Sequence, residues 1–188
     1  MADPDTTPCP PPVEDRGPWL QTYTGRAFYP LAPRVEDVHL EDIAHALAHQ
    51  CRFAGHVRTF YSVAEHSVRA SVIVPREYAL AALMHDATEA YVVDVPRPLK
   101  QAVPAFGLIE DAVAIIIGAA FGVELSRLPK AVKLADQVML ATEARDLMAP
   151  PPRQWMPMPE PLAAVIEPWG PEQAKGAFLQ RFEELRHG

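Results

Sequence analysis

The sequence has 188 residues, 49% of them hydrophobic, and a formal net charge of −7 at neutral pH. That length and apolar content suit one compact domain with a sizeable core. The acidic balance argues against a general phosphate-backbone binder, so nucleic acid is not expected as a partner, and only a local basic pocket is left open. The two cysteines, Cys9 and Cys51, are too few for a disulfide framework and fit a reducing cytoplasm.

Residues 1–18 carry six prolines and almost no aliphatic side chains, which predicts a disordered tail ahead of a domain over 19–188. No basic region followed by an apolar run occurs there, so no signal peptide is expected. Aromatic and β-branched residues around Thr24-Gly25 suggest a short hairpin or extended segment. Leu40, Ile43, Ala44 and Leu47 recur at helical spacing and predict a first helix over about 40–50. Ser62 followed by Glu65 has the reciprocal pattern of a helix start, and Pro75 ends that second helix. REYALAALMHDATEAY predicts one continuous third helix, left through Val92, Val93, Pro96 and Pro98 into a loop. A fourth helix is expected over roughly 105–121, capped by Gly122. Its run AVAIIIGAAFGV is shorter than the roughly 20 residues a membrane span needs and reads as buried core, so no membrane partner is expected. A fifth helix begins at Pro129, an irregular loop covers 150–161, and an amphipathic helix closes the chain. The expected fold is all-α.

His66 and His85 lie nine residues before and ten residues after Pro75. If the flanking helices fold back on each other, the imidazoles reach the same height, about 14 Å from the turn at about 1.5 Å per residue. Asp86, rotated about 100° from His85, can share an ion only on the face between them. Asp136 stands among Val132, Leu134, Ala135, Val138 and Met139, apolar neighbours that make an unpaired carboxylate costly. Two imidazoles and two carboxylates would suit zinc, iron, cobalt or manganese better than calcium. The residues alone leave a metal centre and a purely structural role both open. A competing set, Glu41, His45 and His49, is spaced along one helix stripe but has no HExxH pattern.

AEHS at 64–67, MHDATEA at 84–90 and KLAD at 133–136, in that order on successive helices, resemble the H…HD…D signature of the HD-domain phosphohydrolases. The chain is similar to bacterial HD-domain 5′-deoxynucleotidases and to small cyanophage dATP triphosphohydrolases over roughly residues 40–148. The resemblance implies a helical bundle with one catalytic divalent metal held by His66, His85, Asp86 and Asp136. Cobalt, manganese, zinc or iron would serve, or magnesium with a triphosphate substrate. It further implies proton transfer by Glu89, a catalytic role for Asp94, and phosphate contacts from Arg52, Lys100 and Lys133. Phe53 stands where that family often has a tryptophan beside the sugar, a departure that bears on ribose against deoxyribose. His56, in the loop after Arg52, is a further candidate for substrate contact. Homo-oligomers are common among these enzymes.

The expected activity is hydrolysis at the α-phosphorus of a 5′-nucleotide, a small-molecule substrate, by a metal-activated water. It would release phosphate from a monophosphate or triphosphate from a deoxynucleoside triphosphate. A non-catalytic nucleotide-binding or regulatory module on the same fold is the alternative, and a purely structural helical module a third reading.

Overall fold

A computed structural model describes residues 16–153 and 155–187, and most of the expected tail lies outside them. Arg16, at the end of that tail, is already fastened: its guanidinium donates to Asp37 and to the Ala32 carbonyl and lies over the Tyr29 ring. The fold is mostly helical. Strands β1 (Leu20–Gln21) and β2 (Ala27–Phe28) pair antiparallel, Leu20 with Phe28, around Gly25, whose φ of 81° suits a residue without a side chain. Then come α1 (Leu40–His49), α2 (Val63–Ile73), α3 (Ala79–Met84), α4 (Glu89–Val92), α5 (Arg97–Ala102), α6 (Pro104–Phe121), α7 (Lys130–Leu147) and α8 (Pro171–His187).

The core follows from the apolar stripes. Ile43 and Leu47 of α1, Ala64 and Val68 of α2, Leu83 and Met84 of α3, and Phe178 and Phe182 of α8 meet in one cluster. Full burial of each large side chain there contributes about 1.5–3 kcal/mol. Phe28 stacks on Tyr91 at 3.7 Å between centroids, tying the hairpin to α4. A second cluster of Tyr61, Ala70, Met139, Leu147 and Ile166 seats α7 against α2.

Four expectations need correction. The third helix is not continuous: it is interrupted at His85–Thr88, where Ala87 N–H bonds Met84 O and Glu89 N–H bonds Asp86 O, each three residues back. Such a tightened stretch often marks a functional position. The loop after Val93 contains the short helix α5, because Pro96 and Pro98 sit at its start, where a missing N–H costs nothing. Glu65 does not reciprocate the cap of α2: Ser62 Oγ accepts from Glu65 N at 3.1 Å, but the carboxylate turns to Arg69 and to the Trp169 amide. Helix α6 is not core throughout. Val113, Ile117 and Gly118 are buried, whereas Leu108 and Ile115 are exposed, since the helix sits at the edge of the bundle. By length and composition α6 would be able to cross a membrane, yet its inner stripe packs on the core as a bundle helix does.

Candidate metal centre

Helices α2 and α3 fold back on each other across Val74–Tyr78 and bring His66 and His85 to the same level. Their Nε2 atoms are 3.2 Å apart. Asp136, from the middle of α7, places Oδ1 3.3 Å from His66 Nε2 and 3.8 Å from His85 Nε2. Asp86 has oxygens 3.3 Å from His85 Nε2 and 3.6 Å from His66 Nε2 but, contrary to the expected four-ligand set, lies outside the convergent group, its Oδ2 paired with Arg52. His66, His85 and Asp136 form a group that could hold a metal ion, their ligand atoms all within 4.8 Å of one another.

The donor chemistry fits a cation. His85 Nδ1 is 2.7 Å from the Ala82 carbonyl and must donate to it, so its neutral ring presents a lone pair at Nε2. His66 Nδ1 is 2.6 Å from Glu143 Oε1 and donates there, with the same consequence. Without a metal, a proton on one Nε2 bridges the 3.2 Å gap to the other; a cation in its place would meet both lone pairs. Two imidazoles and a carboxylate are a donor set that zinc and similar divalent metals take. Burial and Arg52 would lower the His66 imidazole, but Glu143 and Asp136 outweigh them and push it up to about 10. Without a metal His66 therefore holds a proton, which a divalent cation would displace. Burial would raise Asp136, but His66 and His85 beside it hold it far below the usual carboxylate range. Its side chain is nonetheless 43% exposed rather than enclosed as its apolar neighbours suggested.

Arg52 is buried beside this group. Its backbone N–H bonds Tyr61 O at 2.9 Å, and Val63 N–H bonds Gln50 O, so 50–52 lie alongside the start of α2. Phe53, Ala54 and Gly55 then turn the chain with φ of 56°, 50° and 82°, a left-handed run that non-glycine residues rarely adopt. The guanidinium donates from Nε to Glu143 at 3.2 Å and from Nη1 to Asp86 at 3.3 Å. Glu143 is fully buried and held low: burial would raise it, but Arg52 and His66 prevail.

Glu89 opens α4 and is 6% exposed, and its Oε2 is buried without a hydrogen-bond partner. Burial first, then the charges of Asp86 and Asp94, push this carboxyl well above its ordinary value. The Gln50 side chain holds the surrounding backbone, donating to Glu89 O at 2.8 Å and accepting from Asp94 N at 3.3 Å. Between them Val93 has φ 61° and ψ 162°, a region otherwise left to glycine.

The other sequence candidates divide. Lys100 pairs with Glu110 at 2.6 Å, although its charge is felt at Glu89. Lys133 is exposed one turn before Asp136, as is Leu134, which was expected to be buried. Phe53 adjoins Arg52 and faces Trp155 of the proline-rich loop at 6.2 Å. His56 is exposed at the end of the left-handed turn. Glu41, His45 and His49 do not converge: Glu41 pairs with Lys175, and His45 stacks between Tyr23 and His49. Glu143, Gln50 and Trp155 escaped the sequence reading. Glu143 had one signal, its place two turns after Asp136 on the same helix face.

YfdR of Escherichia coli K12, described as an uncharacterized protein, is 41% identical to the chain over 171 residues, spanning 89% of the chain and 95% of YfdR. The chain belongs to the YfdR family. The uncharacterized protein RCAP_rcc00048 of Rhodobacter capsulatus is 32% identical over 142 residues, covering 69% of the chain and 72% of that protein. No protein-family model matches the chain.

Proposed function

We propose that the protein is a divalent-metal-dependent HD-type phosphohydrolase that cleaves 5′-(deoxy)nucleotides at the α-phosphorus, releasing a nucleoside with phosphate or triphosphate. One observation carries the reading: the two Nε2 atoms of His66 and His85 face each other at 3.2 Å, each ring fixed from behind as an Nδ1–H donor. In this reading Asp136 completes the ligand set with the two histidines. A divalent ion held there supplies Lewis-acid polarisation and a nucleophile from water at neutral pH.

The protein's own groups supply the rest. Glu89, buried and with its carboxyl raised well above the ordinary value, is the group that would hand a proton to the leaving 5′ oxygen. Asp94 helps to keep that proton on Glu89 through its charge. Arg52 turns a guanidinium edge toward the ligand side of Asp86, where it would offset charge developing on the phosphate. Phe53 and Trp155 offer aromatic surface beside Arg52 for the nucleoside end.

The test is product analysis across nucleoside monophosphates, deoxynucleoside monophosphates and deoxynucleoside triphosphates, with manganese, cobalt, zinc or magnesium supplied in turn. Nucleoside release abolished by chelation is expected. Hydrolysis indifferent to chelator, or none with any metal and substrate, would overturn the reading.

A further inference from the structure

We propose that Glu143 is the positioning residue of the metal centre, setting the tautomer of His66 through a carboxylate shared with Arg52; the inference rests on the metal reading above. Glu143 is fully buried on α7, two turns beyond Asp136. One oxygen, Oε1, lies 2.6 Å from His66 Nδ1, and the other, Oε2, lies 3.2 Å from Arg52 Nε. Each oxygen thus accepts one N–H.

The two histidines differ in what fixes them. His85 Nδ1 donates to the Ala82 carbonyl, an acceptor no side-chain substitution removes. His66 has only a side chain behind it. A carboxylate can accept from both neighbours at once, whereas an amide at the same place has a single acceptor oxygen. Arg52 always carries its protons and would take that oxygen. The amide NH₂ would then face His66 Nδ1, which must accept, so the ring proton moves to Nε2. The lone pair that would bind the metal is lost.

A buried Glu143–Arg52 pair kept only for packing would make none of these demands on His66. The distinction is therefore measurable. Zinc affinity is read by competition with a chromophoric chelator on the full chain. Glu143→Gln should weaken zinc binding about 10–100-fold, the usual cost of losing such a partner. Glu143→Asp, which keeps two acceptor oxygens, should lose less. Met139→Ala, a cavity in the second buried cluster on the same helix, should lower thermal stability without moving zinc affinity. Histidine ¹⁵N spectra of the zinc-loaded wild type should place the His66 proton on Nδ1 in slow exchange with water, a readout that needs no variant to fold. Zinc on Nδ1, equal affinity for wild type and Glu143→Gln, or the same loss in Met139→Ala would overturn the assignment. A wild type that takes up no zinc would overturn the metal centre itself, and this inference with it.

Discussion

His66 and Glu143 are joined across α2 and α7 by a 2.6 Å hydrogen bond, so the imidazole that faces His85 is aimed from behind by a helix that also carries Asp136. The candidate ligands therefore come from α2, from α7 and from the interruption that follows α3. A cation bound only by the folded chain stabilises it by mass action, about 4 kcal/mol at a thousandfold excess over Kd. Thermal unfolding of the wild type should shift upward with zinc or manganese and return with chelator. Asp136→Ala should abolish the shift, and an undiminished shift would place the cation elsewhere.

Glu89 gives a prediction with a pH sign. Its carboxyl is raised by burial and by Asp86 and Asp94, so the folded chain keeps a proton that the unfolded chain has lost. The folded state then binds more protons, and stability falls as pH climbs from about 4.3 through the raised value. Glu89→Gln removes that loss. In metal-free protein its Tm should equal that of the wild type at the acid end and exceed it increasingly as pH rises. Turnover should drop about 10²–10⁴-fold with metal content kept; a variant as active as wild type would remove Glu89 from the chemistry.

Gln50 joins Glu89 O and Asp94 N through one side chain, at 2.8 and 3.3 Å. Gln50→Ala should cost about 1–2 kcal/mol in chemical denaturation. It should also lower kcat while leaving metal stoichiometry at the wild-type value. Loss of metal instead would show that the clamp acts on the ligands.

Val93 is strained, at φ 61° and ψ 162°. Backbone strain of that kind costs about 1–3 kcal/mol, of which glycine recovers all but its own entropy of about 0.5–1 kcal/mol. Val93→Gly should be more stable by about 1 kcal/mol, or about 2–4 °C in Tm. A lower Tm would mean that the valine side chain contributes more than its backbone conformation costs.

Helix ends were readable where one residue decides them. Gly122 takes the left-handed cap of α6, Pro129 precedes α7, and Thr24-Gly25 turns the hairpin. The meeting of His66 and His85 was readable because Pro75 sets a fold-back of nearly equal arms, whereas Asp86 and Asp136 entered as a set with them through the resemblance of AEHS, MHDATEA and KLAD. What escaped depends on contacts distant in sequence. Glu143 is ninety-one residues from Arg52, and the two account for each other's burial only after folding. The interruption at His85–Thr88 lies in a run of good helix formers, where local propensity gives no sign of it. The exposed side of α6 carries Leu108 and Ile115 beside Asp111, so only a weak polar pattern marked it.

Helix α7 has a second attachment. On either side of Glu143, Thr142 Oγ1 accepts from Leu162 N, Arg145 donates to the carbonyls of Leu162 and Ala164, and Asp146 accepts from Ile166 N. The irregular return from the proline-rich loop to α8 is thus anchored to the helix that bears Asp136 and Glu143. Any ligand that steadies α7 also slows the opening of 162–166, and backbone amide exchange at Leu162 and Ile166 should act as a remote gauge of occupancy, some twenty to thirty residues away in sequence from Glu143 and Asp136.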